Sequence, residues 1–218
     1  MQQRIFILFL VLFSTAVCAQ EKPVVSPPKP TPVEFLFGHN RLQGQTTIIK
    51  NFPQSKFGFF SLSTLAGDYS NTDKTNNELF SNVQLSYDVF KGIRVTMGGT
   101  FSSFKGFSPI AGLEYVYANK KFVLVANPTI DLKKQPTLAN YAHLEYTPKD
   151  KKFNLYGRLQ GLYVHNVAAS THERSAAVIR LGVSHKGFST GLGLNQDYYD
   201  PAKNVKSNVG IFFQYKFM

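Results

Sequence analysis

The sequence predicts an all-β fold, a closed antiparallel β-barrel with up-and-down meander order, and two observations support this prediction. Apolar and polar residues alternate with period two in one segment after another, which is the primary signal for β-strands. Tight connections such as "FKGI" alternate with looser links such as "LKKQPT". A meander with its tight turns at one end and its longer loops at the other would produce this order.

The first 19 residues have the anatomy of a secretory signal peptide. "MQQR" is positively charged, "IFILFLVLF" is apolar, and "STAVCAQ" offers a Val17-x-Ala19 cleavage site. Cys18 is the only cysteine, and a lipoprotein acylated there is disfavoured because Val17 stands where a small residue is expected. Cleavage after Ala19 removes the thiol, which excludes disulfides and cysteine-based metal sites. Elsewhere no apolar run is long enough for a transmembrane helix.

Residues 20–33, which include "EKPVVSPPKPTPV", are rich in proline and predict a semi-rigid periplasmic tether. A plain spacer and a docking segment for a periplasmic partner both fit this composition. Residues 34–55 are ambiguous. Their short apolar stretches, at 33–38 and 46–51, would add a hairpin and give twelve strands. Because these stretches are short, we expect a periplasmic or lumen-entering segment instead.

The barrel itself is predicted over residues 56–218, with about ten strands and twelve as the alternative. "ELFSNVQLSYDVF" illustrates the pattern, with Val83 and Leu85 on one face and Gln84 and Ser86 on the other. The ten predicted strands cover residues 56–67, 78–90, 92–104, 108–118, 121–131, 138–148, 152–165, 174–185, 187–197 and 207–218.

The chain is basic, with a formal net charge of +11. This charge would suggest nucleic acid in a cytosolic protein, but export argues against that partner. The lysines gather at turns, for example Lys120, Lys121, Lys151 and Lys152, where solvation explains them. Attraction to anionic lipid headgroups is a second explanation.

Two features favour an apolar face that points outward into lipid over a lipocalin-like barrel with an apolar interior. The polar face consists mainly of Gly, Ser, Thr, Asn and Gln, and lysine is nearly absent from the strand interiors. Aromatic residues cluster beside the tight turns, as in the aromatic girdle of a membrane interface. The predicted girdle comprises Tyr87, Phe90, Tyr115, Tyr117, Phe122, Tyr146, Phe153, Phe188, Tyr215 and Phe217.

The chain ends on "NVGIFFQYKFM", in which Phe213, Tyr215 and Phe217 share one face. This ending resembles the last strand of bacterial outer-membrane β-barrel proteins, although Met218 follows the final aromatic residue. The resemblance implies insertion into the outer membrane of a Gram-negative-type cell, among outer-membrane lipids, by machinery that recognises this strand. It also implies that both termini and the tight turns are periplasmic.

The inward face is predicted to carry charges of both signs on neighbouring strands. An eight-stranded barrel is filled by side chains and sixteen or more strands enclose a channel, so ten strands lie nearer the filled end. The charges would form an ion-pair network that plugs the lumen, or they would line a narrow pore. The predicted network comprises Asp88, Arg94, Glu114, Glu145, Arg158 and Arg180.

Candidates for catalysis are few. His165, Ser170 and His172 lie in "HNVAASTHER", a predicted outer loop, and match no motif. The histidines lack metal-ligand spacing, so no metal and no cofactor are predicted. We therefore expect a non-enzymatic outer-membrane barrel, structural or acting as a narrow pore for small solutes. The alternatives are a lipid-acting hydrolase or acyltransferase and a surface-binding barrel that uses loops such as "QDYYDPAKNVK".

Overall fold

A computed structural model describes residues 30–70, 77–148 and 151–217, and these ranges form a single closed antiparallel barrel of twelve strands. No helix in these ranges is long and apolar enough to cross a membrane. The predicted signal peptide and most of the predicted tether lie outside the described residues. The strands are β1 Thr31–Gly38, β2 Arg41–Asn51, β3 Phe57–Asp68, β4 Glu78–Phe90, β5 Ile93–Ser102, β6 Gly106–Ala118, β7 Phe122–Asp131, β8 Thr137–Tyr146, β9 Asn154–Asn166, β10 Thr171–His185, β11 Phe188–Tyr199 and β12 Asn204–Phe217.

Closure is made by pairing the first strand with the last. β1 and β12 are antiparallel and in register from Thr31 opposite Phe217 to Gly38 opposite Gly210. Every other pair joins strands that are consecutive in sequence, so the order is a simple meander. The all-β, closed, up-and-down fold class predicted from the sequence is therefore confirmed.

The preferred count of ten strands is wrong, and the alternative of twelve is correct. The segment at 34–55, expected to be periplasmic or lumen-entering, forms β1 and β2, and β1 also takes residues 31–33 of the predicted tether. The signal from β2 was weak because Gly44 interrupts its outward apolar face. The side chains of Phe35 and Leu65 on the neighbouring strands cover Gly44, so its gap is filled across the sheet.

The two ends of the barrel differ less in loop length than the sequence suggested. The connection at 69–77 lies at the end opposite the termini, as expected, but so does the two-residue turn at 39–40. The connection at 147–153 lies at the terminal end, although a tight turn was predicted there. The predicted "KG" turns at 91–92 and 186–187 are tight, with positive φ at both residues. This conformation matches the twist of antiparallel strands.

Pro128 lies within β7 without breaking the pairing register of β6 and β7. A proline has no N–H to donate to the opposite strand, so one ladder hydrogen bond is missing there. The neighbouring side chain replaces it, since Asn127 Nδ2 donates to the carbonyl oxygen of Leu113 at 2.8 Å.

The apolar face of the strands points outward. Leu85 and Leu181 are 55% and 61% exposed, whereas the adjacent Gln84 and Arg180 are 1% and 2% exposed. An outer wall of this kind is suited to lipid, where water cannot satisfy the backbone and every N–H and C=O must pair within the barrel. The twelve-strand closure achieves this pairing.

The aromatic residues predicted to form a girdle all lie near the end that carries the termini. Nine of the ten are exposed, and Tyr146 is half-buried against Phe122 with ring centroids 4.8 Å apart. The rings of Tyr215 and Phe217 are in edge contact at 4.9 Å. Amphipathic rings at this height would sit at the level of the lipid headgroups.

Strand closure also depends on close backbone approach at Gly210. A Cβ atom there would lie 1.9 Å from the carbonyl oxygen of Phe37 on β1. We expect Gly210→Val to lower the free energy of unfolding by about 2 kcal/mol or more, because the two strands must separate to fit the side chain. The measurement is the temperature at which the folded band is lost on a detergent gel.

Gly157→Val is the matched control, since no atom lies within 4 Å of a Cβ built at Gly157. It should leave the transition temperature unchanged or raise it slightly. Equal loss in both variants would contradict the role assigned to Gly210.

Candidate functional site

The half of the lumen nearest the termini is filled by a group of side chains that we call the plug. At its centre, Glu34 Oε1 accepts hydrogen bonds from Arg158 at 2.6 Å and from Arg180 at 2.9 Å. Arg158 also donates to Gln214 Oε1 at 3.0 Å. These residues come from β1, β9, β10 and β12, and each is at most 4% exposed. The plug therefore joins four strands across the inside of the wall.

The plug continues toward the terminal end. The hydroxyl of Tyr156 donates to Gln214 Oε1 at 3.1 Å and lies 3.2 Å from Glu145 Oε2. Glu145 forms a salt bridge with Lys216. Tyr156 also packs with Leu36 and Phe212 in a fully buried apolar cluster. The plug is thus a mixture of ion pairs and apolar packing that leaves no exposed central side chain.

A second group of charges lies on the opposite wall. Arg94 Nε is 3.8 Å from Asp88, and Arg94 Nη1 is 3.6 Å from Glu114. Glu114 is 1% exposed, and neither of its carboxylate oxygens has a hydrogen-bond partner within the described part of the chain. These distances are longer than those in the plug, so the charged side chains of this wall interact more weakly with one another.

The interior is not uniformly polar. Phe60, Leu62 and Val125 form a buried cluster that points into the lumen. The sequence hinted at this, because "KFGFFSLSTL" carries apolar residues on both faces of β3. Inward apolar residues are possible wherever they pack on one another, and here they complete the filling beside the plug.

Above the plug, toward the loop end, the lumen opens into a chamber of about 650 Å³. Its floor includes Glu34, Arg180 and Gln160, and its rim includes Lys105 and Asp200. Small inward residues such as Ala139 and Ala176 leave this space empty, whereas long side chains fill the level below.

Four charged residues bridge the mouth of the chamber, and we call them the mouth quartet. Arg41 contacts Glu78 at 3.1 Å and Asp197 at 2.7 Å. Arg174 contacts the same two acids at 3.2 and 2.8 Å. Glu78 is on β4 and Arg174 is on β10, which are opposite each other in the twelve-strand order. The quartet therefore spans the opening, and Tyr199 supports it with a 2.6 Å bond to Glu78.

The charges predicted from the sequence fall into two places. Glu145, Arg158 and Arg180 belong to the plug, and Asp88, Arg94 and Glu114 form the opposite wall. The sequence reasoning did not name Glu34, Lys216 or the mouth quartet. Glu34 and Arg41 lie in the segment that was not counted as strands, whereas Lys216 shares the inward side of β12 with Gln214. Lys216 and Gln214 are both on the polar side of the alternation in "NVGIFFQYKFM", so the pattern could have identified Lys216 as inward.

The candidate catalytic residues were predicted in a loop, but the structure places two of them in strands. His165 is the second-last residue of β9 and His172 is the second residue of β10, where they are directly opposite each other. Ser170 is exposed in the turn between the two strands. Ser170 forms no hydrogen bond with either ring within the described residues. His172 instead lies 2.7 Å from the hydroxyl of Ser175, on its own strand.

The loop proposed for surface binding is shorter than predicted. β11 extends to Tyr199 and β12 begins at Asn204, so only 200–203 remain as a turn. Tyr199 points inward to the mouth quartet. Within the described ranges, no group of three His, Cys, Asp or Glu residues is arranged to hold a metal ion.

The buried ion pairs of the plug should contribute to the stability of the barrel. Glu34→Gln leaves two buried guanidinium groups without their shared carboxylate, so we expect the free energy of unfolding to fall by about 3 kcal/mol or more. The double variant Glu34→Gln with Arg158→Gln keeps the net charge of the wild-type plug and leaves one guanidinium, that of Arg180, without the carboxylate instead of two, so it should lose less than the single variant. Urea unfolding in lipid vesicles measures both.

Lys105→Gln is the control, because its partner Glu173 is at the rim and Lys105 is 59% exposed. An exposed pair is worth about 1 kcal/mol at most. A Glu34→Gln loss as small as that of the control would show that the plug does not stabilise the barrel.

No protein-family profile and no curated protein matches the chain. Among solved structures, the KdgM porin is similar over 86% of this chain and 99% of its own, with 13% identity and a TM-score of 0.46. The NanC porin is similar over the same shares, with 11% identity and a TM-score of 0.49. By its own closure, lipid-suited exterior and polar-centred lumen, the chain has the fold of the outer-membrane β-barrel proteins.

Proposed function

We propose that this protein is a non-enzymatic outer-membrane barrel that passes small solutes through a narrow, gated lumen. The chamber is its entrance from the loop end, and the plug is its gate. The observation that carries the proposal is the chamber of about 650 Å³, whose floor consists of ion pairs and amides. Such a floor can rearrange by exchanging partners, whereas a continuous apolar core cannot.

The energetics of the plug support a gate. Burying charged groups costs several kcal/mol each, and apolar packing of the same volume is often as stable or more stable. A purely structural barrel would gain no stability from Glu34, Arg158 and Arg180 over apolar side chains of the same volume. Twelve strands also lie between the filled eight-stranded barrels and the open sixteen-stranded channels. A small rearrangement of the plug would therefore open a continuous path.

The orientation belongs to the same proposal. We place both termini and the aromatic girdle at the periplasmic side, and the chamber mouth outside. The last strand, with Phe213, Tyr215 and Phe217 on its lipid face, would engage the insertion machinery. The proline-rich segment before Thr31 would act as a tether or contact a periplasmic partner, and no nucleic acid is involved.

Planar-bilayer recording tests the gate. The wild-type protein should show a small conductance with brief openings, and the double variant Glu34→Ala with Arg158→Ala should show a conductance several times larger. Removing both residues empties the centre of the plug, while Arg180 keeps its hydrogen bonds to Asn195 and to the backbone oxygens of residues 179 and 194.

Leu159→Ala provides the matched control, because Leu159 adjoins Arg158 but faces outward and is 53% exposed. It should conduct like the wild type. If the plug variant conducts no more than the wild type at any voltage, the gate is refuted and a structural barrel is left.

A second candidate, a lipid-acting hydrolase, is favoured by the contacts of His172. One ring nitrogen, Nδ1, lies 2.8 Å from the carbonyl oxygen of Asp200, which can only accept a hydrogen bond. Nδ1 must therefore carry the proton, which leaves Nε2 free to accept from the hydroxyl of Ser175 at 2.7 Å. An oriented base beside a hydroxyl is the arrangement that activates a serine nucleophile.

In this candidate reaction, Ser175 Oγ attacks the carbonyl carbon of a lipid ester while His172 takes the hydroxyl proton. The alcohol leaves with that proton, and water then releases the fatty acid from Ser175. Ser175 shares the outer face of β10 with Ala177 and Ile179, so an ester in the surrounding lipid is within its reach.

Phospholipid vesicles that contain the protein test the hydrolase. If it is correct, the wild type releases fatty acid, whereas Ser175→Ala and His172→Asn release none. Ser170→Ala is the control, since Ser170 is exposed and the hydrogen bonds of the His172 ring go to Asp200 and Ser175. Absence of release by the wild type, or release that survives in Ser175→Ala, removes this candidate.

A further inference from the structure

The upper wall of the chamber is more apolar than a passage for hydrated solutes requires. Six inward side chains from five strands of the barrel face the same space. Binding pockets for small molecules typically combine such a lining with a few polar groups. Water gains little from these surfaces, so a ligand with an apolar part would replace it favourably. The six residues are Leu62, Phe80, Ile110, Leu162, Val164 and Val178.

The residues of the chamber floor contain two buried acceptors that have no donor within the described residues. Glu34 Oε2 and Gln160 Oε1 are both unpaired, although these residues are only 2% and 4% exposed. The amide nitrogen of Gln160 is already used, since it donates to the hydroxyl of Tyr141 at 2.8 Å. Buried acceptors of this kind require a donor, and leaving one unpaired costs about 1–3 kcal/mol.

The charged groups around the chamber mostly pair with one another, although Arg174 Nε has no hydrogen-bond partner within the described residues. All three nitrogens of Arg180 are used, by Glu34, by Asn195 at 2.7 Å and by the backbone oxygens of residues 179 and 194. At the mouth, the quartet pairs two arginines with two acids. No guanidinium of the floor is left to receive an anion, and Glu34 already faces two cations.

We propose that the chamber binds a neutral amphiphilic small molecule with a hydrogen-bond-donating head and an apolar body. The head donates to Glu34 Oε2 or Gln160 Oε1 at the floor, and the body lies among the apolar side chains of the upper chamber, which include Ile110 and Val178. Such molecules would be the class of solute that passes through the proposed lumen, and this part of the inference rests on the proposed function. Binding itself requires only the chamber.

Isoleucine methyl groups provide a direct test. The protein is labelled at its isoleucine δ1 methyl carbons, placed in lipid nanodiscs and titrated with 4-butylphenol, a neutral probe with one donor. The resonance of Ile110 should shift along a saturable curve. Ile179 and Ile211 face the lipid and are 37% and 51% exposed, so they should report only partitioning, in proportion to probe concentration.

Two adjacent alanines supply matched variants. Ala176 lines the chamber and the next residue, Ala177, faces outward. Ala176→Phe should abolish the saturable shift by filling the space, and Ala177→Phe should leave it intact. The methyl ether 4-butylanisole, which lacks the donor, should bind at least tenfold more weakly, and the anion 4-butylbenzoate should not saturate.

An Ile110 shift that merely follows that of Ile179, or saturation that persists in Ala176→Phe, would refute the site. Equal affinity for the ether or for the anion would refute the proposed class. Saturable binding in a protein without conductance would leave the site standing while removing the passage. Conductance without saturable binding would refute the binding site and leave the passage standing.

Discussion

The constraint that governs this molecule is the need to pair every backbone polar group where no water is available. The pairing of β1 with β12 meets this need because it removes the two edges that a meander would otherwise expose. Closure with twelve strands fixes the circumference of the barrel. The barrel is narrow enough for two long side chains on opposite walls to meet. Glu78 on β4 and Arg174 on β10 can therefore meet across the mouth. In a wider barrel the same residues would line a channel without touching.

The outer wall was predictable because it obeys a single rule. Alternation placed Val83 and Leu85 on one face and Gln84 on the other, and the composition of the polar face together with the aromatic girdle selected the apolar face as the outer one. β1 and β2 were missed because the rule applies to the assembled sheet. The gap at Gly44 is filled by Phe35 and Leu65 on neighbouring strands. The sequence of β2 alone does not show that these side chains cover the glycine.

The lumen was harder to predict, since its chemistry depends on which inward residues share a level. Arg158 and Arg180 were expected to face inward, but their common partner Glu34 is far away in sequence and comes close only through closure. The mouth quartet has the same origin. The candidate pair of His172 with Ser175 depends on a register irregularity between His172 and Arg174, which places the ring beside a hydroxyl three residues away. Sequence spacing does not encode such an irregularity.

The division of the lumen into a filled half and an open half follows from side-chain size. At the lower level the inward residues include Tyr156, Arg158 and Phe212, which reach the axis. At the upper level they include Ala139 and Ala176, which do not. The wall and its hydrogen bonds are the same at both levels, so folding in lipid places no demand on this difference. The size of the inward side chains is therefore free to vary with function. The chamber, more than the barrel wall, is the part of the molecule in which function determines the choice of residue.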